Sequence, residues 1–318
     1  MSVSTAKAGE APIDDPPSPS VTVRPTRFGP RERRDFLVFL AFAGPNIVLI
    51  ILFSYRPVIQ NIQYSMLNWT LGSSSATAVG IGNYVEFLTS PGTLDIIRIT
   101  LIFTLVTVGG SMVLGLLIAL ALNQRIRGIG LARATVFAPY VLSGVGVGFV
   151  WQLIFDPAIG ILGVILRSVG VSNPEWFRNP NLTLVMVIIV YIWKNMGYAA
   201  VIYLAGLQAV PKDLLEAASL DGASSSRTFR SVVWPLLSPT TFFLVITCIL
   251  SSLQAFDIIQ AMTPLGNGTT TLIYESYLQG FINTRAGYSA TIATILFVLL
   301  VIFTVVQLRF VERRVHYS

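Results

Sequence analysis

Six runs of apolar residues, at 36–55, 96–123, 131–155, 182–207, 236–259 and 288–308, fix what this chain can become. Each is close to the roughly 20 residues a helix needs to cross the hydrocarbon core of a bilayer. Lipid offers no partner to a free backbone N–H or C=O, so segments of this kind are expected to be helices. Only 11% of the 318 residues are charged, against about 25% in a soluble domain. The sequence therefore predicts an all-α integral membrane protein with six transmembrane helices, in contact with lipid over much of its surface.

Six spans put both termini on one side, and the basic residues choose that side. Fifteen Lys and Arg fall in the first 35 residues, the 2–3 loop (Arg125, Arg127, Arg133), the 4–5 loop (Lys212, Arg227, Arg230) and the carboxyl end (Arg309, Arg313, Arg314). Five fall on the other side, at Arg56, Arg98, Arg167, Arg178 and Arg285. Cytoplasmic loops carry the excess of Lys and Arg, so both termini are expected in the cytoplasm. The net charge of +6 is dispersed in these short clusters, which argues for membrane orientation and against nucleic acid as a partner. Residues 1–30 are rich in Pro, Ser and Thr and read as a disordered cytoplasmic tail, not a signal peptide. Residues 31–318 form the membrane domain. The single cysteine, Cys248, lies in an apolar run and is expected to be a small buried hydrophobe.

Between spans four and five stands a polar stretch, 211–235, that reads as two short helices joined at a glycine. Pro211 suits a first helical turn, and Leu214, Ala217 and Ala218 share one face. Gly222 suits the positive φ that ends a helix, and Ser224 or Ser225 the cap of the next one. Pro235 is expected to break the chain before span five.

Catalytic patterns are missing. The three lysines follow Ala6, Trp193 and Pro211, so no Gly-Lys-Ser/Thr phosphate loop is present and any ATP must be hydrolysed by a partner. The lone histidine, His316, has no second histidine or reactive cysteine to work with, so neither a metal site nor a nucleophile–base pair is expected. No cofactor is expected. Polar groups inside spans are the remaining signal, because they are costly in lipid. Lys194 lies about 18 Å into span four at 1.5 Å per residue, with Asn195 and Tyr198 beside it. Gln254 and Asp257 lie in the outer part of span five. These five are candidates for a solute pathway. Lys194 can equally hold helices together, and Asp257 can equally be solvated at the surface. Gly144, Gly146 and Gly148 suit close helix packing or a flexible gate.

Glu216-Ala217-Ala218, Asp221-Gly222-Ala223, Phe229, Val232, Pro235 and Pro239 resemble the EAA loop of binding-protein-dependent ABC importer permeases. The likeness extends through Trp193-Lys194, Ala205-Gly206-Leu207-Gln208, Phe256-Asp257 and 269–274. It is strongest to carbohydrate-uptake permeases of the MalF/UgpA type, and the ending 305–312 looks most like those for glycerol-3-phosphate. Trp234 stands where that family has a smaller aliphatic residue, and Pro264-Leu265-Gly266-Asn267 replaces its Gly-Gly-Pro. The resemblance implies a MetI-like type I importer fold and a heterodimer with a second, homologous permease. It also implies two ATP-binding subunits and an extracytoplasmic solute-binding protein. Glu216, Ala217, Ala218, Asp221 and Gly222 would then couple to the ATPase. The solute would be glycerol-3-phosphate or a glycerophosphodiester, with a neutral sugar or oligosaccharide as the other choice. An ion-coupled secondary transporter would want several intramembrane carboxylates, and the spans offer little beyond Asp257. A membrane-embedded enzyme would want a catalytic cluster.

Overall fold

A computed structural model describes residues 30–124 and 127–311. The expected tail lies outside them up to residue 29, as do Arg125, Arg313, Arg314 and His316. The chain divides into two units, residues 1–57 and 58–318. In the first, α1 (Pro30–Ile50) leads into a π turn, Ile51–Tyr55. α2 (Arg56–Ser65) begins at the junction.

The second unit continues with a short hairpin, β1 (Leu67–Trp69) paired antiparallel with β2 (Ala76–Ala78), Leu67 facing Ala78. It adds a small sheet to a fold predicted to be wholly helical. α3 (Gly82–Thr89) follows, then the long α4 (Thr93–Leu122). α5 (Ile129–Val141), α6 (Gly144–Phe155) and α7 (Ile161–Ser168) lead to the long α8 (Pro180–Ala209). The polar stretch holds α9 (Lys212–Leu220), α10 (Ser225–Thr228), a π turn at Phe229–Val233 and α11 (Trp234–Leu236). α12 (Ser238–Leu253), α13 (Asp257–Met262), α14 (Leu272–Tyr277) and α15 (Ala286–Val311) complete the order.

Among the described residues, five stretches are long and apolar enough to cross a membrane: Arg34–Ser65, Thr93–Leu122, Pro180–Ala209, Ser238–Met262 and Ala286–Arg309. The sixth is a bent pair. Span three, expected as one helix over 131–155, is α5 and α6 meeting at 97°. Span five is likewise interrupted, at 254–256, between α12 and α13. Pro139 lies within α5 and Gly144 opens α6 at the first of these places, and Gln254 stands at the second.

The core lies between α4, α8 and α12–α13. Phe103 meets Tyr191 edge-on at 5.1 Å between ring centroids, and Met186, Val187, Val190, Ile258 and Ile259 close around them. Further along the same helices, Ala119, Ala199, Tyr203, Leu237 and Leu244 form a second cluster, in which Cys248 is buried as expected. Several hydroxyl side chains in the spans bond within their own helix: Thr100 Oγ1 donates to Ile96 O at 2.7 Å and Thr107 Oγ1 to Phe103 O at 2.7 Å. α15 is fixed at the hairpin end by Thr291 Oγ1 donating to Ser65 O (3.0 Å) and Asn61 Nδ2 to Ala290 O (3.1 Å). An Arg285–Glu86 ion pair at 2.6 Å adds a link between exposed partners. Asn179 caps α8: its side chain accepts from Asn181 N and Leu182 N, with Pro180 in the first turn.

Candidate functional site

The stretch 211–235 folds as two short helices about a glycine. α9 ends in a Schellman motif: Gly222 N donates to Ser219 O (3.1 Å) and Ala223 N to Ala218 O (3.0 Å). Gly222 takes φ +70°, a conformation that costs any residue with a Cβ about 1–2 kcal/mol. Ser224 caps α10, accepting from Arg227 N at 3.4 Å. Pro211 precedes α9 as its cap residue and is not in the first turn.

Two local expectations, those for Pro211 and Pro235, are corrected. α9 half-buries Leu215 and Ala218, whereas Leu214 and Ala217 are exposed. Pro235 does not break the chain. The π turn ahead of it, with Trp234 N donating to Phe229 O, widens the helix where the proline ring would meet the preceding turn. Leu237 N then donates to Val233 O at 2.9 Å. Glu216, Ala217, Asp221 and Gly222 are exposed, Ala218 is half-buried, and Leu220 presents an apolar side chain that is 89% exposed. The whole is a polar, solvent-facing ledge with one apolar tip.

The second region lies within the spans. Thr107, Ser111, Tyr140, Tyr191, Asn195, Tyr198, Cys248 and Ser251 converge from α4, α5, α8 and α12 around a cavity of about 10 Å³, room for at most about one water. Asn195 Nδ2 donates to Tyr191 O at 2.8 Å. Tyr198 stacks on Tyr140 with ring centroids 4.9 Å apart. Ser111 Oγ is buried and has no hydrogen-bond partner. Such a group costs about 1–3 kcal/mol unless something meets it. Lys194 borders this pocket through Tyr140: its Nζ donates to Tyr140 O at 2.9 Å and lies 5.5 Å from the ring centroid.

The five expected pathway residues are thus not all brought together. Asn195 and Tyr198 line the pocket, and Lys194 adjoins it. Gln254 is exposed at the break in span five. Asp257 is not in the pocket's lining and sits against Gly144, where a Cβ would collide with its carboxylate. Gly144 and Gly148 serve close packing, Gly148 against Ala261, while Gly146 is exposed. The sequence reading missed Thr107 and Ser111. Their signal was present: Thr100, Thr104, Thr107 and Ser111 recur at helical spacing along span two, and all are buried. A larger cleft of about 530 Å³ lies by the first turns of α4 and α8, with Asp95, Arg98 and Glu275 in its lining. Asp95 and Arg98 are exposed, so it marks an open surface, whereas the smaller pocket joins polar groups from four helices of the interior.

Residues 111–317 match the family described as binding-protein-dependent transport system inner membrane component. The sn-glycerol-3-phosphate transport system permease protein UgpA of Agrobacterium fabrum is 38% identical over 278 residues, covering 86% of this chain and 94% of that one. The fold is similar to that in a bacterial ABC transporter involved in the import of the acidic polysaccharide alginate. That chain has TM-score 0.78 and 21% identity, with 90% of this chain and 98% of that one covered. A second structure of a bacterial alginate ABC transporter, in complex with its alginate pentasaccharide-bound periplasmic protein, gives the same TM-score of 0.78.

Proposed function

The chain belongs to the family of binding-protein-dependent transport system inner membrane components, and from that premise we propose that it moves glycerol-3-phosphate or a related glycerophosphodiester into the cell. It is a permease subunit of an ABC importer. In our reading it pairs with a second, homologous permease, receives solute from an extracytoplasmic binding protein, and draws its energy from two ATP-binding subunits. Both termini lie in the cytoplasm, as the fifteen-to-five basic asymmetry favours.

The exposed ledge at 211–235 is the surface we assign to the ATPase. Glu216 and Asp221 give it charge, Leu220 gives it an apolar tip, and Gly222 fixes the angle between its two helices. Closure of the ATPase dimer would push this ledge as a unit, and the spans would re-orient around the solute. Of the expected pathway residues, Asn195 and Tyr198 lie on the route together with Thr107, Ser111 and Tyr140. Their hydroxyl and amide groups suit the hydroxyls of a polyol.

The substrate assignment rests on one observation, the 38% identity over nearly the full length of a protein named for glycerol-3-phosphate transport. One feature favours the neutral-sugar alternative: no cationic side chain lines the pocket, and stacked Tyr140 and Tyr198 offer a ring face of the kind a sugar packs against. Uptake by the reconstituted complex, with a panel of radiolabelled phosphorylated and neutral solutes, decides between them. ATP-dependent uptake of glycerol-3-phosphate is expected. Transport of a neutral oligosaccharide alone would replace this substrate and leave the importer assignment in place.

A further inference from the structure

The bend in span three creates an electrostatic problem inside an apolar run. At Leu142–Ser143, α5 stops with its last carbonyls free and α6 starts with its first N–H groups free. Each such group is costly away from water. The ends also carry opposite partial charges, negative where α5 finishes and positive where α6 begins.

Each end is met by a charge of the opposite sign from another span. Lys194 of α8 donates to the carbonyl of Tyr140, in the last turn of α5, at 2.9 Å. Asp257 of α13 sits against Gly144, the first residue of α6, in the space a Cβ would fill. Its Oδ1 also accepts from Ile258 N at 2.9 Å, so the carboxylate serves the start of its own helix as well. One turn further on, Gly148 packs on Ala261. Gly144 and Gly148 on α6 therefore oppose Asp257 and Ala261 on α13, two pairs four residues apart, and the two half-helices lie close. The ion pairs among the described residues, Arg178–Glu175 and Arg285–Glu86, involve neither Lys194 nor Asp257. Both charges are directed at helix ends instead.

We infer that Lys194 and Asp257 are positioning residues that hold the two ends of the broken third span. The cation fixes the end of α5 to α8 and the anion fixes the start of α6 to α13. The angle of the bend, and with it the wall that Tyr140 contributes to the pocket, is set by two other spans. This gives a lysine inside the fourth span a carbonyl partner where it forms no direct ion pair, and it holds whichever solute is carried.

The test is a distance across the bend in the assembled complex in lipid nanodiscs. Nitroxides are placed at Thr135 on α5 and Leu153 on α6, both exposed, in a Cys248→Ala background, and read by pulsed electron resonance. The parent is expected to give one narrow distribution. Lys194→Met and Asp257→Asn keep side-chain size and remove charge. Each should lengthen and broaden the distribution and lower uptake by about tenfold or more, Lys194→Met by losing its charge-assisted hydrogen bond to Tyr140 O and Asp257→Asn by losing the charge beside the start of α6. Lys194→Arg keeps the cation and should restore the parent distribution, which a role in packing alone would not predict. Parent-like distances in both neutral variants would overturn the inference, as would an arginine variant that behaves like the methionine one. Should a neutral variant not assemble, Gly144→Ala decides. It keeps both charges but pushes the carboxylate off the start of α6, so the distance should lengthen; an unchanged distance contradicts the clamp.

Discussion

Ser111 is where residue-scale reasoning separates stability from transport. Its hydroxyl is buried without a partner, at a place where Asn195, Tyr140 and Tyr198 also converge. An unmet hydroxyl costs about 1–3 kcal/mol in the folded state, so Ser111→Ala should leave thermal stability of the purified complex unchanged or slightly higher. If passing solute supplies the missing partner, the same variant should raise the KM for uptake several-fold. Melting temperature and uptake kinetics on one preparation check both halves, and a destabilised variant with unchanged KM would assign Ser111 to packing. Gly222 poses the complementary case. Its φ of +70° predicts that Gly222→Ala costs about 1 kcal/mol, and that a β-branched valine costs more. Local chemistry made Gly222 and Ser224 readable in the sequence, because a left-handed turn and a helix cap depend on the residue that makes them. The roles of Lys194 and Asp257 were not readable at this scale. A lysine in a span announces a functional or structural charge, but the carbonyl it meets, that of Tyr140, is 54 residues away in the chain.

At the scale of elements, the spans were legible where apolar length decides the outcome. α4 (Thr93–Leu122), α8 (Pro180–Ala209) and α15 (Ala286–Val311) extend the expected runs by a few residues. The bend was legible only in part: Pro139, Ser143 and Gly144 lie at or just before the break, but the sequence does not show that Lys194 of α8 and Asp257 of α13 meet its two ends. Pro235 misled: its missing N–H suggests a break, yet the π turn at Phe229–Val233 absorbs it. The hydroxyl stripe of span two was visible as a pattern, but its meaning appears only when α8 and α12 pack against it. The ledge formed by α9 and α10 carries a prediction of its own. Glu216→Lys reverses an exposed charge on it, and surface substitutions of this kind change stability by about 0.5 kcal/mol or less. Assembly in the membrane and the melting temperature should therefore match the parent, while binding of the ATP-binding subunits weakens and becomes more sensitive to salt. Pull-down of those subunits across a salt series checks this, and an unchanged salt dependence would remove Glu216 from the docking surface.

For the molecule as a whole, the account requires a fixed orientation and a transmitted push. With both termini in the cytoplasm, a cysteine at Asn173 should be labelled from outside sealed cells and one at Ser225 should not. External labelling of Ser225 would reverse the orientation and remove the ledge from the ATPase side. The fold belongs to permeases of ABC importers, and the charged clamps, polar pocket and exposed ledge acquire a common purpose only if ATP hydrolysed by a partner moves solute through this chain. The most direct measurement is the ratio of solute imported to ATP hydrolysed, taken in proteoliposomes holding the full complex and its binding protein, for the parent and for Gly222→Val. The parent is predicted to import solute only with ATP. Gly222→Val is predicted to assemble and to hydrolyse ATP while importing little or none, because the angle between α9 and α10 no longer transmits the push. Import by the parent without ATP, or a Gly222→Val complex with the parent ratio, would contradict the account.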